Sequence, residues 1–437
     1  MLIEIPHNYK ARVVIVGGGF GGLKLAKSLR NKNIQVVLID KNNFHTFQPL
    51  LYQVATSALE AGSIAYPIRK TLRGKNLFFR MGEVHRIHPE EKKIEVDNDE
   101  IYYDYLVMAT GAKTNFFGNE GLTVNAMSMK AVSEALDLRS MILQNFEKTL
   151  MISNERKKQS YMNFVIAGAG PTGVELAGAL GEMKLKVFPK DYPELDMSKM
   201  NIYLVQSGDR VLPMLSEKSS EKSKRYLEKL GVTVVLNTRV LDYHGDYVQT
   251  DTGNDLVART LIWTAGVTGA PVDGLAKDAI GKSNRYEVDE YNRVKGYENI
   301  FAVGDVACMR SKNYPNGHPQ VAPAAIQQGL LLQKNLLRIL DGKPMVPFVY
   351  KDKGAMATVG KNKAVVEIGR LKFGGFFAWA TWMFVHLMSL VGFSNRLLIF
   401  VHWTKNYFSS DRGMRIIVRQ FNLSEQKKKR QRELDGH

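Results

Sequence analysis

Twice along this chain a short β-branched run ends in a glycine-rich turn that opens into a stretch rich in Ala and Leu. The first copy, RVVIVGGGFGGLKLAKSL, closes on a second apolar run ending at Asp40; the second, NFVIAGAGPTGVELAGAL, closes on NIYLVQ at Gln206. Each reads as strand, turn, helix, strand, with strands apolar enough to be buried on both faces of a parallel sheet. Gly17, Gly19 and Gly22 keep the spacing G-x-G-x-x-G, and Gly168, Gly170 and Gly173 keep it again. In such a turn the first glycine permits the tight bend, the second lets the backbone approach a pyrophosphate, and the third lets helix pack against strand. The helix start then faces the phosphates with unpaired N–H groups and its positive dipole end. One triplet is weak evidence, because glycines serve ordinary turns. Two, each between an apolar strand and a helix, specify two dinucleotide cradles.

Each copy leads into short strands with turn signals, at 77–107 and 232–262, that read as hairpins closing on a strand that ends in Thr and Gly. The second copy carries an insertion at 182–199, and residues 128–159 read as a polar, helix-forming linker between the halves. Residues 299–305 and 321–340 read as a return strand and helix that complete the first domain. The expected fold is therefore α/β: two Rossmann-like dinucleotide-binding domains with small β insertions, plus a C-terminal membrane-associating helical region. The expected boundaries are 1–127 with 290–346 for the first domain, 128–289 for the second, and 347–437 for the C-terminal region with its basic tail.

The residue ending the second strand of such a unit meets the adenosine ribose. Asp40 can accept from ribose hydroxyls, which suits a cofactor with an unphosphorylated adenosine ribose such as FAD. Gln206 can hydrogen-bond the ribose of NADH, yet its neutral amide does not repel a 2′-phosphate, and Arg210 follows closely, so NADPH stays open. Gly304 and Asp305, at the end of NIFAVGDVA, can set a carboxylate and a helix start beside a sugar-alcohol chain and its phosphate. An ordinary helix cap is the competing reading of Asp305, and two cradles elsewhere favour the first.

Cys308 is the single cysteine, so the chain can form no internal disulfide, redox-active or structural, and no cysteine-based metal cage; no metal site is expected. The net charge of +17 suits anionic partners, but no nucleic-acid recognition motif accompanies it. The first ten residues lack the pattern of a signal or transit peptide, which points to a cytoplasmic start.

Residues 373–393 are nearly uncharged and hold Phe373, Phe376, Phe377, Trp379, Trp382, Phe384 and Phe393. Their length barely reaches that of a membrane span, and the Trp, Phe and His386 content suits an interface better. With 395–408, where Leu397, Leu398, Phe400, Val401 and Trp403 stand beside Arg396 and Lys405, the stretch reads as a pair of interfacial helices. The cluster Lys427, Lys428, Lys429, Arg430 and Arg432 can attract anionic lipid or remain a solvated end.

Together VVIVGGGFGGL, DKNNFHTFQPLLYQVAT, MATGAKTNFFG, VIAGAGPTGVELAGAL, IWTAGVTGAP, FAVGDVA, APAAIQQG and the closing aromatic stretch resemble the type II NADH:quinone oxidoreductases, to about Gly413. These are single-subunit, non-pumping respiratory dehydrogenases. The resemblance implies that Gly17, Gly19, Gly22, Asp40, Gln48, Thr110, Gly111 and Asp305 touch FAD. It implies that Gly168, Gly170, Gly173, Glu175 and Gly266 lie at or near the nicotinamide nucleotide, with Glu175 close to the reacting rings. A buried carboxyl there can orient the nicotinamide or influence proton delivery; a first-turn Glu favoured by the helix dipole is the plainer reading.

The chain departs from the family's pattern twice: Gln206 replaces an acid, and the quinone-site motif AQxxxQ reads Ala322-Pro323-Ala324-Ala325-Ile326-Gln327. Pro323 suits a helix start, and Gln327 is the remaining candidate to hold a quinone carbonyl. The activity implied is hydride transfer from NADH, with NADPH open, to FAD, then of two electrons to a membrane quinone. The resemblance also implies a homodimer lying peripherally or monotopically on the cytoplasmic face of the inner membrane. Sulfide:quinone oxidoreductases and disulfide reductases need paired cysteines, which the chain lacks. A soluble flavoprotein reductase for another acceptor and a non-catalytic nicotinamide sensor are the rivals; quinone-dependent turnover separates them.

Overall fold

The computed structural model describes residues 5, 9–409, 413–417 and 419–434. Most of the first eight residues, on which the expectation of no leader rests, and the side chain of Phe393 lie outside the described residues. The chain is an α/β protein that divides into two compact units. One is built from Met1–Thr46, Tyr66–Lys113 and Val267–Lys353, the other from Phe47–Ala65, Thr114–Gly266 and Gly354–His437.

The first unit centres on a five-stranded sheet in the order Ile300–Ala302, Tyr105–Met108, Arg12–Val16, Gln35–Asp40, Leu77–Met81, every neighbouring pair parallel. Val14 pairs with Val37 on one side and with Leu106 on the other, and all three are fully buried. That explains the unbroken apolar runs: a strand covered on both faces has no polar side to show. The helix Phe20–Ser28 leaves the first strand and packs on the helix Ala322–Leu340, where Gly329 lies close against the backbone of Gly21. Pro323 sits in the first turn of that helix, where a missing N–H costs nothing. The return strand and helix thus complete this sheet. A three-stranded antiparallel insertion, Val84–His88, Lys93–Val96 and Asp99–Tyr102, matches the hairpin pattern.

The second unit repeats the plan with four parallel strands in the order Val232–Val235, Ile202–Val205, Phe164–Ala167, Thr260–Trp263, and with the helix Pro171–Lys186 after the glycine turn. The segment expected as a polar, helix-forming linker carries the helix Val132–Leu150, most of which is buried. Its polar residues are internal partners: Asn145 Nδ2 donates to Thr260 Oγ1 at 2.8 Å. Phe146 lies against Phe188 and Tyr192 of the insertion, with ring centroids 4.1 and 5.3 Å away, so linker and insertion build one aromatic core.

The C-terminal region joins this unit. An antiparallel sheet, Ala355–Thr358, Ala364–Ile368 and Leu371–Gly374, precedes the helices Phe376–Ser389 and Phe393–Ser409. The aromatic stretch is therefore two helices, and among the described residues no helix is long and apolar enough to cross a membrane. Beyond them the chain lies back over the same unit. Arg415 pairs with Asp191 at 2.7 Å and Arg419 with Asp137 at 2.9 Å, while Phe421 is buried. The helix Leu423–Leu434 then turns Arg430 onto the carbonyls of Thr123 and Ala126. The basic tail is thereby divided: Arg430 is an internal partner, and Lys428, Lys429 and Arg432 are exposed.

Candidate functional site

The two glycine turns are built alike. Gly17 has φ +109° and Gly168 φ +100°, a backbone region that side chains other than glycine rarely adopt. A Cβ on Gly22 would stand 2.0 Å from the carbonyl oxygen of Gly17, and one on Gly173 would stand 1.9 Å from that of Gly168. Only glycine lets helix and strand approach this closely. Gly19 and Gly170 each cap their helix and face open space, as a phosphate-binding turn requires.

The strand-end residues also match. Asp40 Oδ2 accepts the Gly18 N–H at 2.6 Å; Gln206 Oε1 accepts the Ala169 N–H at 2.9 Å. Asp40 Oδ1 takes a further N–H from Asn42 at 2.7 Å, and its remaining lone pairs can meet ribose hydroxyls. Two braces in the first unit, one on the glycine turn and one on the turn that carries Asp305, were not legible in the sequence. His45 is buried and its Nδ1 donates to the Gly18 carbonyl at 2.9 Å, with burial lowering its pKa so that the ring stays neutral. Gln328 Oε1 accepts the Gly304 N–H at 2.7 Å and so holds the turn Gly304–Val306 that carries Asp305.

Thr110 and Gly111 follow the strand Tyr105–Met108. Thr110 Oγ1 donates to the Ala270 carbonyl at 2.6 Å, and the Gly111 carbonyl accepts the Ala270 N–H at 3.1 Å. The first unit thus gathers Gly17, Gly19, Gly22, Asp40, Thr110, Gly111 and Asp305. A helix start open at Gly19, next to a carboxylate with spare acceptors, fits a dinucleotide with an unmodified ribose. Gln48 belongs to the second unit, where it opens a short turn and its Nε2 reaches the Lys130 carbonyl at 3.4 Å. Gln327 is in the first unit, and Lys351 engages both ends of its amide: Nε2 donates to the Lys351 carbonyl and Oε1 accepts its N–H, each at 3.0 Å.

In the second unit Gly266 lies beneath Phe117: a Cβ there would stand 2.8 Å from the ring. Phe117 is an exposed aromatic residue with φ +54°, held by its N–H to Asn115 Oδ1 at 2.8 Å. Asn115 also accepts the Trp263 indole N–H at 2.8 Å, which ties this turn to the end of the strand Thr260–Trp263.

Glu175 is not a solvated first-turn Glu. It is 7% exposed and faces a cavity of about 860 Å³, open mouth included, lined by Tyr52, Gln53, Thr358, Trp379, Trp382 and Trp403 among others. Its Oε1 accepts the Thr358 N–H at a long 3.4 Å. Desolvation dominates, and the carboxyl is pushed up to about 8. The Trp382 indole acts weakly the other way from outside hydrogen-bond geometry: its Nε1 is buried without a partner. A chain of hydrogen bonds frames the cavity. Trp403 Nε1 donates to Gln53 Oε1 at 2.8 Å, Gln53 Nε2 donates to the Tyr52 hydroxyl at 3.0 Å, and that hydroxyl meets Thr358 Oγ1 at 3.3 Å. Burial, and then the facing Glu175, raise the Tyr52 phenol, so it stays protonated. His386 stacks on Trp382 with ring centroids 3.9 Å apart, and burial pushes it down to about 4, so it too is uncharged at neutral pH.

The outer faces of the two C-terminal helices differ from this lining. Phe377 is 77% and Phe408 82% exposed, and Phe384, Met388, Leu397, Leu398, Phe400 and Val401 are exposed with them. Trp382 and Trp403 are buried on the inner faces.

The pyridine nucleotide-disulphide oxidoreductase family matches residues 11–329, and the NDH2 C-terminal domain family matches residues 353–411. The chain is 35% identical over 427 residues to the type II NADH:quinone oxidoreductase NdhA of Mycobacterium tuberculosis, covering 94% of this chain and 90% of that protein. It is 32% identical to the type II NADH:quinone oxidoreductase of Haemophilus influenzae, covering 83% and 88%. In fold it is similar to the structure of NDH2 from Plasmodium falciparum in complex with NADH, with TM-score 0.84 at 22% identity over 94% of this chain and 100% of that one. The sulfide:quinone oxidoreductase of Aquifex aeolicus shares the fold more loosely, with TM-score 0.69 at 19% identity over 92% of this chain and 96% of that one.

Proposed function

Because the chain belongs to the type II NADH:quinone oxidoreductase family, we propose that it oxidises NADH and passes two electrons through FAD to a membrane quinone, without pumping protons. The observation that carries this reading is the pair of glycine cradles, each with a helix start open to a phosphate and a strand-end residue at the ribose position.

FAD is assigned to the first cradle, where Gly17, Gly19 and Gly22 receive the diphosphate, Asp40 the ribose, and Thr110, Gly111 and Asp305 the remainder; Gln48 is a further contact. Bound there, FAD supplies hydride acceptance and electron release. NADH is assigned to Gly168, Gly170, Gly173, Gln206 and Gly266. Orienting the nicotinamide and excluding water are the protein's part of the reaction. Glu175 is the catalytic carboxyl of this reading: at neutral pH it holds a proton in an aromatic cavity, ready for a developing oxyanion of the reduced quinone. Gln327, clamped by Lys351, keeps one amide hydrogen for a quinone carbonyl.

The exposed apolar faces of Phe376–Ser389 and Phe393–Ser409 support a monotopic seat in one leaflet, with Lys428, Lys429 and Arg432 toward anionic headgroups; the cytoplasmic face is part of the proposal alone. A homodimer belongs to the same reading. The test is NADH oxidation by the purified, FAD-loaded protein with and without a soluble quinone. Quinone-dependent turnover supports the proposal. Flavin reduction that never reaches a quinone sinks it and leaves another acceptor or a sensor.

A further inference from the structure

We propose that the cavity at Glu175 is a proton inlet, with Glu182 as the carboxyl that loads from solvent and Tyr52 as the hydroxyl between the two acids; this rests on the quinone-reducing reading above. Oxidation of NADH by a quinone consumes one proton from solvent per turnover, because NADH brings a hydride and the quinol leaves with two hydrogens. Glu175 is buried, so a proton that it gives up has to be replaced through the protein. The helix Pro171–Lys186 lays out a route. Glu175, Ala179, Glu182 and Lys186 follow at steps of four, three and four, so they share one helical face, and all of them line the cavity. The two carboxyls stand about 10 Å apart along the axis, by the rise of the helix. Ala179 lies between them with a single methyl, which leaves the gap open.

Exposure rises along this face. Glu175 is buried; Glu182 is half-buried, its Oε1 accepting the Lys361 N–H; Lys186 is exposed. Lys186 and Lys361 are the other charged groups at the mouth. Tyr52 stands against both carboxyls: burial first, then Glu175 and more weakly Glu182, raise its phenol. Gln53 Nε2 already donates to the Tyr52 hydroxyl at 3.0 Å, so the hydroxyl keeps its own hydrogen to give. On the same wall the buried Trp382 Nε1, without a protein partner, is a donor for a bridging water. Each step moves one proton and no electrons. Glu175, left as a carboxylate by the reduced quinone, takes a proton from the Tyr52 hydroxyl or a water beside it. That oxygen takes one from Glu182, and Glu182 takes one from solvent.

The test is infrared spectroscopy of the full-length, FAD-loaded protein at neutral pH, where the C=O stretch of protonated Glu175 is identified by its loss in Glu175→Gln. After transfer to D₂O that band should shift as the proton exchanges. Glu182→Gln, and Ala179→Leu, which plugs the gap and removes no acid, should each slow the shift at least about tenfold. During turnover with a soluble quinone, both variants should complete the first reoxidation of the flavin at the native rate, on the proton already held, and then slow by the same factor. Exchange that a folded variant leaves at the native rate, or a first reoxidation slowed as much as the later ones, overturns the inlet. Exchange slowed as expected in a protein that never passes electrons to a quinone would instead overturn the quinone reading, so the two failures are distinguishable.

Discussion

Glu175 Oε1 lies 3.4 Å from the backbone nitrogen of Thr358, the one hydrogen bond that reaches this carboxyl among the described residues. One long bond cannot offset the loss of water around a buried carboxylate, and the group protonates at about 8 instead of the ordinary 4.5. Because the folded value is raised, the folded state binds the proton more tightly than the unfolded chain. The associated stability is fully present below about pH 4.5 and is lost as pH rises through about 8. Glu175→Gln removes that loss. Its melting temperature should gain on the native protein from pH 5 to pH 8, by the equivalent of ~3 kcal/mol at neutral pH. Thermal melts across this range test it; a gap that does not vary with pH means that Glu175 does not titrate.

The same proton should appear in turnover. Quinone-linked kcat is expected to fall on an alkaline limb near the Glu175 value of about 8. Glu175→Gln should remove the limb and lower kcat by roughly a hundredfold, the lower range for a lost general acid. A pH–rate profile in which the limb survives the substitution would assign that proton elsewhere.

The twin glycines allow the cradles to be broken separately. Gly22→Ala and Gly173→Ala each set a Cβ about 2 Å from a carbonyl oxygen, which forces strand and helix apart at a cost of ~1–3 kcal/mol or more. Gly22→Ala should be isolated without bound flavin. Gly173→Ala should remain yellow yet resist bleaching by NADH. Absorbance near the flavin maximum, before and after anaerobic NADH, reads both. The reverse pattern would exchange the roles of the two cradles.

The bond from Trp403 to Gln53 pins the last helix to the segment that carries Tyr52. A cycle of Trp403→Phe, Gln53→Leu and the double variant should give a coupling energy of ~1 kcal/mol in denaturant unfolding. Strict additivity would show that the bond contributes nothing in solution.

Phe377 and Phe408 present full aromatic faces outward. Replacing both by Asp should lower partitioning to liposomes containing anionic lipid by at least about a hundredfold, since burying each ring contributes ~1.5–3 kcal/mol. Stability should move by less than about 0.5 kcal/mol per site, as for other surface positions. Unchanged co-sedimentation would show that these faces do not meet the bilayer.

How much of this was legible in the sequence depends on the distance over which each signal acts. The cradles are local: an apolar strand, three glycines at fixed spacing and a helix lie within thirty residues, and the structure returns them where the pattern puts them. The cavity at Glu175 is not local. Tyr52, Thr358, Trp382 and Trp403 come from stretches that share no period, and nothing in any one of them announces the others. His45 and Gln328 escaped for the same reason, since a bond to Gly18 or Gly304 is set by sheet geometry. Residues 128–159 gave up their helix but not its burial: a polar composition carries no sign that Asn145 meets Thr260. The tail misled likewise, because a run of cations carries no sign that Arg430 has two carbonyls to cap.

The strand Ile300–Ala302 pairs with Tyr105–Met108, so the first sheet waits for a neighbour that the ribosome makes only after the whole second glycine-turn sheet has emerged. During synthesis the Tyr105–Met108 strand has an unpaired apolar edge, and that edge can recruit other chains. The second unit can close its parallel sheet by Trp263, yet its outer layer, from Gly354 onward, arrives last. Any nonsense change before residue 300 should therefore yield an aggregating chain rather than a working half-enzyme, and the native protein should fold slowly for its size, as long-range parallel pairing demands.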